Sequence, residues 1–305
     1  MSKVDPYTHL KISLNPDGSL TRHPTSAETG ETPGHGVLSK DVTLDAGKKT
    51  WLRIYLPARL PSNDNTVARL PVIFFFHGAG WIRAAVSHDS CNRISAEVPA
   101  VLVAVELRLA PENRLPAQYE DAVDAVAWVR DQATDGGDQW ITDYADLSRC
   151  YLYGVRCGAN VAYNTALRLQ DIELHPVKMA GTILNQPFFG AKQRTKSELE
   201  RAWDDNLPLS VQDLLWELAL PVGTDMDHRF SNPFVAKEKV KNIGRCLVIG
   251  FGGDPLIDRQ QDLVKMLVEE GVAVEARFHD GGFHGVDMVD SKRATTILNY
   301  IKTFV

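Results

Sequence analysis

Several short segments of the chain are apolar at nearly every position instead of at alternate positions. They are residues 70–76, 98–105, 151–153, 179–184, 246–251 and 272–278. Strands of this composition are buried on both faces, as in a parallel sheet covered by helices. Each run ends at a polar or glycine-rich cluster, and parallel α/β sheets place their sites at the carboxyl edge. The pattern therefore predicts a site assembled from residues that follow the strands.

Segments with helical periodicity separate most of these runs. They are residues 118–132, 158–169, 260–270 and 291–304. Alternation of strand and helix predicts a mostly parallel, doubly wound α/β sheet. Upstream of it, residues 42–56 alternate between apolar and polar positions around Ala46-Gly47-Lys48, which predicts an antiparallel hairpin.

Residues 188–224 interrupt the alternation of strands and helices. They contain one predicted helix, 210–220, many polar residues, and the aromatic side chains of Trp203 and Trp216. An excursion of this size over the carboxyl edge is typical of a lid above a pocket; a surface helical pair without a gating role is the alternative. We expect one domain, 1–305, with a helical cap formed by about 1–25 and 188–224.

The composition of the chain argues against some classes of binding partner. The 305 residues are 44% hydrophobic and 24% charged, which is ordinary for a globular protein. The 33 basic and 39 acidic residues give a net charge of −6 with no basic block, so neither nucleic acid nor an anionic membrane is an expected partner. We expect instead a small-molecule substrate or ligand, bound by a monomer or homodimer.

The cysteines and the termini suggest a reduced compartment. Cys91, Cys150, Cys157 and Cys246 are scattered without a CxxC pair, so we expect no metal site and no cofactor. No secretory signal, lipidation signal or apolar stretch of about 20 residues is visible. The sequence therefore predicts a cytoplasmic protein.

Three clusters at strand ends carry the candidate chemistry. Residues 77–80 read His-Gly-Ala-Gly, where glycines allow backbone amides to face a developing negative charge. Residues 154–158 have the two glycines of a G-x-S-x-G nucleophile elbow. Asp254 and His284 follow in that order, as a carboxylate that orients a histidine base. Together, in this order, the clusters predict an α/β-hydrolase fold.

Over nearly its whole length the chain resembles the plant carboxylesterases of the hormone-sensitive-lipase type. The resemblance lies in the segments Asn15-Pro-Asp-Gly18, His77-Gly-Ala-Gly-Trp81, Arg108-Leu-Ala-Pro-Glu112, Arg114-Leu-Pro-Ala117, the 154–158 elbow with Asn160, Gly253-Asp-Pro-Leu-Ile-Asp258 and Gly281-Gly-Phe-His284, together with Trp140, Asp143 and Asp146. The family's substrates are small plant metabolite esters, and its relatives include a dehydratase, cyclases and a gibberellin receptor.

The resemblance also implies individual roles. Asp254 would be the acid and His284 the base of a triad. The oxyanion hole would be formed by the backbone amides of Gly78, Ala79 and Cys157. Structural carboxylates that hold loops would be Glu112 and Asp258.

Arg156 stands where this family has its nucleophilic serine. Arginine has no nucleophilic oxygen, remains protonated and offers five donors. The neighbouring Cys157 is a poor substitute, because an elbow exposes only its central residue while the next one begins the helix. We therefore predict that serine-type ester hydrolysis is lost or strongly reduced.

The pocket around Arg156 should contain Trp81, as an enlarged aromatic wall, together with His77 and Trp216 from the cap. Arg156 itself has two interpretations. It could pair with Asp254 and displace His284, or it could bind a substrate carboxylate or polarise a carbonyl while His284 acts as acid or base.

Three functions remain open on these grounds. The leading hypothesis is non-hydrolytic chemistry, meaning elimination, cyclisation or isomerisation. The second is a residual carboxylesterase in which His284 activates water directly. The third is a non-enzymatic small-molecule receptor or an inactive esterase copy. The receptor relative lost its histidine and kept its serine, which is the reverse of this chain.

Overall fold

The computed structural model of the protein describes residues 4–24, 36–60, 62–63, 66–83, 88–134, 136–237 and 239–305. Its strands are β1 (Ile12–Leu14), β2 (Leu20–Arg22), β3 (Val37–Asp45), β4 (Thr50–Pro57), β5 (Ser62–Asn63), β6 (Thr66–Val67), β7 (Leu70–Phe76), β8 (Val101–Glu106), β9 (Ala145–Val155), β10 (Met179–Asn185), β11 (Cys246–Phe251) and β12 (Val274–His279). Its α-helices are α1 (Pro6–His9), α2 (His88–Glu97), α3 (Ala117–Asp131), α4 (Gln139–Tyr144), α5 (Cys157–Leu169), α6 (Lys196–Glu200), α7 (Leu209–Ala219), α8 (Ile257–Glu269) and α9 (Ser291–Phe304).

An eight-stranded sheet forms the centre, in the order β12-β11-β10-β9-β7-β8-β4-β3. Neighbouring strands from β12 to β8 are parallel, whereas β4 and β3 add an antiparallel edge. Asn185 at the end of β10 lies opposite Val155 on one side and Ile249 on the other, so these strands end at the same edge. The predicted α/β-hydrolase sheet and the predicted hairpin are both confirmed.

Both faces of the sheet are covered, which explains why the strand sequences are apolar throughout. Along β7, Phe74 and Phe76 pack into the cluster that contains Tyr119 of α3, while Phe75 packs on the opposite face with Ile94 of α2. Burial on two faces removes the need for a polar side and produces a continuous apolar run.

Strand β9 and helix α2 are among the elements that differ from the pattern-based expectation. Strand β9 starts at Ala145, six positions before the predicted run at Tyr151, because its polar first half still pairs with the start of β7. Helix α2 was not predicted, since its sequence is mostly polar; among its residues 90–97, for which burial is described, the buried ones are Cys91, Ile94 and Ser95.

The 188–224 segment contains α6 and α7, where one helix was predicted. Helix α1 packs against α7, and the Ser210 hydroxyl donates to the carbonyl of Val4 at 3.2 Å. On the other side, Arg259 of α8 makes an ion pair with Glu198 of α6 at 2.6 Å, with side chains 9% and 1% exposed. These contacts fix the segment to both the N-terminal residues and the main body; residues 1–3 and 25 of the expected cap lie outside the described residues.

Within the described ranges, none of the helices is long and apolar enough to cross a membrane.

Glu106, at the carboxyl end of β8, is a half-buried acid with an unusual environment. It lies opposite Trp51 of β4, and no described residue donates a hydrogen bond to its carboxylate. Burial raises the pKa of Glu106 to about 7. Between pH 4.5, the ordinary pKa of a glutamate, and about pH 7, Glu106 therefore keeps its proton in the native protein, whereas the unfolded chain has lost it.

We predict that Glu106 makes the protein less stable as the pH rises from about 4.5 to about 7. Below that window the group is protonated in both states and carries no penalty. The variant Glu106→Gln cannot ionise, so urea unfolding should show it more stable than the unmodified protein by about 1–3 kcal/mol at pH 8 and nearly equal at pH 5. The exposed substitution Glu269→Gln is the control; the same gain at both pH values for Glu106→Gln would contradict the prediction.

Candidate active site

A strained turn between β9 and α5 places Arg156 at the carboxyl edge of the sheet. Arg156 has φ 58° and ψ −117°, a conformation that few side chains adopt. The turn is closed so tightly that a Cβ on Gly154 would lie 2.0 Å from the carbonyl oxygen of Gly158, and one on Gly158 would lie 2.1 Å from that of Phe76. Both glycines of the predicted elbow are therefore sterically required.

The side chain of Arg156 crosses the site and ends on an acidic residue. Its Cβ and Cδ lie 3.4 Å from the place where Gly78 would carry a Cβ, and its Nε and Nη2 lie 3.4 Å from the corresponding place on Gly285. The Nη2 atom donates to Oδ1 of Asp287 at 2.6 Å, with the two side chains 15% and 19% exposed. The guanidinium thus spans the space between the 77–80 loop and the loop after His284.

Asp254 and His284 form an intact pair. The ring Nδ1 of His284 lies 2.9 Å from Oδ2 of Asp254, so the interpretation in which Arg156 takes Asp254 from His284 is wrong. The fully buried Asp254 also accepts hydrogen bonds from the amide of Leu256 and from Nε2 of Gln260, both at 2.9 Å. Since a carboxylate can only accept, Nδ1 carries the ring proton and leaves Nε2 of neutral His284 as the basic atom.

Gln186 positions the loop that carries His284. Its side-chain Nε2 donates to the carbonyl of Phe283 at 2.9 Å, and its Oε1 accepts from the amide of Gly285 at 3.0 Å. The amide group therefore grips the backbone on both sides of the histidine. Gln186 is completely buried and has a positive φ of 49°, which is a second strained turn beside the elbow.

No sequence motif marked Gln186, Gln260 or Asp287. The only available signal was for Gln186, which directly follows the apolar run that forms β10. Gln260 donates to Asp254 and Asp287 accepts from Arg156, and the spacing of these residues in the sequence does not reveal either contact.

The amides expected to form an oxyanion hole come from the 77–80 loop and from the start of α5. Among the described residues, the amides of Gly78 and Ala79 have no hydrogen-bond acceptor. Ala79 has φ 99°, which turns the peptide in a way that alanine rarely allows. The amide of Cys157 is at the first position of α5, where helix amides lack an intrahelical acceptor.

The sulfur of Cys157 faces away from the elbow opening. It accepts a hydrogen bond from the amide of Gly80 at 3.0 Å, and the residue is 3% exposed. Burial raises the pKa of the Cys157 thiol to about 11. The thiolate that a cysteine nucleophile needs is therefore strongly disfavoured.

The expected pocket aromatics form one buried cluster. The rings of Trp81 and Trp216 lie 4.5 Å apart, and Phe188 contacts both at 5.4 Å. Phe188 also meets the His284 ring edge-on at 6.3 Å. Helix α7 rests directly on the loop, because a Cβ on Gly80 would lie 2.5 Å from Leu215. Helix α7 and the 77–80 loop thus pack against each other directly.

His77 is buried behind this loop. Its Nδ1 lies 2.6 Å from the carbonyl oxygen of Gly78, and desolvation lowers the pKa of the imidazole.

The structural roles expected for two carboxylates are confirmed. Glu112 binds Arg22 and the amide of Leu20, and Asp258 accepts from the amide of Ser197 at 2.8 Å.

We predict that Cys157 is inert toward alkylation in the folded protein. Because its thiol is buried and its pKa is about 11, iodoacetamide at pH 8 should react on the order of 10²-fold more slowly than in urea-unfolded protein. Peptide mapping by mass spectrometry measures this, with free Cys91, Cys150 and Cys246 as internal controls, all of them buried. Rapid stoichiometric modification of Cys157 alone would make it a candidate nucleophile after all.

Comparison with known proteins agrees with this geometry. Residues 73–288 match the α/β hydrolase fold family. The chain is 49% identical to probable carboxylesterase 9 of Arabidopsis thaliana, with 99% of this chain and 97% of that protein covered. It is 43% identical to a 3-O-acetylpapaveroxine carboxylesterase of Papaver somniferum, with 99% and 100% covered.

More distant relatives include a gibberellin receptor of Arabidopsis thaliana, at 31% identity over 87% of this chain and 78% of the receptor. Among solved structures, a hyperthermophilic esterase of Pyrobaculum calidifontis aligns with a TM-score of 0.73 at 26% identity, covering 89% of this chain and 84% of the esterase. The chain belongs to the α/β-hydrolase family, as a carboxylesterase-like member of its plant carboxylesterase branch.

Proposed function

We infer that this hydrolase-family enzyme has exchanged serine-ester hydrolysis for acid–base chemistry on a small metabolite that bears a carbonyl or carboxylate. The observation that carries the proposal is the intact Asp254–His284 pair beside a guanidinium that is bound to Asp287. Asp254 orients the His284 base, and the nucleophile position of the elbow is occupied by the Arg156 cation.

Two properties of Arg156 support the loss of the serine mechanism: its guanidinium is not a nucleophile, and its side chain occupies the space in front of the elbow. The guanidinium cannot attack an ester carbonyl, and no acyl-enzyme can form on it. In addition, the Arg156 side chain passes over Gly78 and reaches Gly285. It therefore fills volume where an acyl group attached to an elbow residue would extend.

The remaining groups suit a substrate whose carbonyl becomes an enolate. Nε2 of His284 would remove a proton from the carbon next to the carbonyl, and Asp254 would stabilise the resulting imidazolium. The negative charge on oxygen would be held by the amides of Gly78, Ala79 and Cys157 and by Arg156. Return of the proton to a leaving group gives elimination, and its return to another carbon gives isomerisation; attack by the enolate on a second group gives cyclisation.

A small-molecule receptor is the second candidate function. The ion pair of Arg156 with Asp287 closes the same space without any chemistry, and gibberellin receptors are among the relatives. In that case the pocket would bind a ligand and release it unchanged.

We predict that Arg156→Ser restores esterase activity. A hydroxyl at the elbow would face the basic Nε2 of His284, so p-nitrophenyl acetate hydrolysis should rise by on the order of 10²-fold or more, with fluorophosphonate labelling at position 156. Arg156→Ala is the matched control, because it removes the same cation without adding a nucleophile. Equal hydrolysis by the two variants would argue against this prediction, whereas hydrolysis by the unmodified protein that is lost in His284→Ala would support the residual-esterase hypothesis.

We further predict that the unmodified protein converts a component of a plant metabolite extract. Mass spectrometry should detect loss of water or acetate, or an isomer of unchanged mass. His284→Ala and Asp254→Asn should reduce that turnover by at least ~10²-fold, since the first removes the base and the second disturbs its tautomer. Arg156→Ala should also reduce turnover if the cation stabilises the enolate.

The receptor hypothesis gives a different outcome in the same experiment. A component would then be retained by the protein and recovered without any change in mass or structure. Full turnover by His284→Ala would contradict the acid–base mechanism.

A further inference from the structure

A small cavity is lined by residues of the 77–80 loop together with residues of α3 and α5. Its volume is ≈ 10 Å³. The residues of its lining that matter here are His77, Trp81, Gln118, Cys157 and Val161. A volume of about 10–15 Å³ on this measure is the space of a single water molecule.

Three of these lining residues carry polar atoms that have no hydrogen-bond partner among the described residues. The atoms are Nε2 of His77, Nε1 of Trp81 and Oε1 of Gln118. All three residues are deeply buried, with exposures of 6%, 4% and 1%. An unpaired buried polar atom destabilises the folded protein, so three such atoms around one cavity require an explanation.

The chemistry of each atom follows from its neighbours. Nδ1 of His77 lies 2.6 Å from the carbonyl of Gly78, so it carries the ring proton and Nε2 is an acceptor. The side-chain Nε2 of Gln118 donates to the carbonyls of Arg108 and Asn113 at 2.7 and 2.9 Å, which fixes Oε1 as the remaining acceptor. The indole Nε1 of Trp81 can only donate.

We propose that this cavity is a binding site for one structural water molecule. The water donates one proton to Nε2 of His77 and the other to Oε1 of Gln118, and it accepts the Nε1 hydrogen of Trp81. This uses both donors and one acceptor of water and satisfies all three orphaned atoms. A metal cation or an ammonium ion does not fit, because an indole N–H would point its hydrogen at the positive charge.

The bound water connects the 77–80 loop to helix α3. His77 and Trp81 lie at the two ends of the loop whose amides would form the oxyanion hole. Gln118 lies near the start of α3, where its Nε2 also donates to the carbonyls of Arg108 and Asn113. Both Ala79 and Trp81 have positive φ values, 99° and 63°, so the loop needs bonds that hold it in place. Desolvation lowers the pKa of His77, which keeps its Nε2 available as an acceptor.

Heteronuclear NMR on protein with ¹⁵N-labelled tryptophan tests the proposal directly. The Trp81 indole signal is assigned by its absence in Trp81→Phe. We expect a cross-peak between this N–H and a long-lived water in both NOESY and ROESY spectra, with the signs of dipolar contact and not of chemical exchange. A high-resolution crystal structure should show one oxygen within hydrogen-bond distance of all three atoms.

A pair of variants at Val161 supplies the matched control. Val161→Ile adds one methylene to the cavity and should displace the water, so the cross-peak should disappear and the melting temperature should fall. Val161→Thr keeps the side-chain volume and should retain the cross-peak. An empty cavity in the crystal, or a direct bond between the Trp81 indole and Gln118, would overturn the proposal. Both measurements use the unmodified protein, so they decide the matter even if Val161→Ile does not fold, and neither depends on the proposed reaction.

Discussion

The turn from β9 into α5 is the constraint on which the rest of the site depends. The turn holds its central residue at φ 58° and ψ −117°, a conformation that costs on the order of 1–3 kcal/mol. Hydrogen bonds to neighbouring strands and loops hold the turn in this conformation. The amide of Arg156 donates to the carbonyl of Asn185 at 2.8 Å, and its own carbonyl accepts from the amide of Phe188 at 3.1 Å. The elbow is therefore locked to the end of β10 whatever side chain it carries.

This independence of backbone from side chain explains how an arginine can occupy the position without disturbing the fold. The amide of Cys157 remains at the start of α5, and the Asp254–His284 pair remains bonded at 2.9 Å. The arginine determines the electrostatics of the space in front of the histidine. It places a permanent cation there, and Asp287 balances this charge from the loop that also carries His284. The pair is partly buried, so removing one partner would leave the other charge poorly solvated, and the pair ties the loop after His284 to the elbow.

The sequence was informative where a feature is local. Continuous apolar runs predicted the parallel strands, because a strand that is buried on both faces has apolar side chains at nearly every position. The elbow glycines, Asp254 and His284 were predicted from motifs at strand ends. The roles of Gln186 and Asp287 were not predictable, since each acts on residues about a hundred or more positions distant, 99 for Gln186 on Gly285 and 131 for Asp287 on Arg156. A short polar helix such as α6 was missed for a related reason, because its burial comes from the ion pair of Glu198 with Arg259.

The packing of α7 on the 77–80 loop links substrate selection to the chemistry of the site. Leu215 fills the space above Gly80, and the tilted rings of Trp216 and Trp81 lie 4.5 Å apart, so α7 contacts the loop whose amides we propose as the oxyanion hole. Phe188 continues the same aromatic cluster to the ring of His284. A change in α7 that reshapes the pocket would therefore also shift the amides and the base. Since a packed interior transmits small displacements, we expect changes in the proposed pocket to be accompanied by changes in the proposed chemistry.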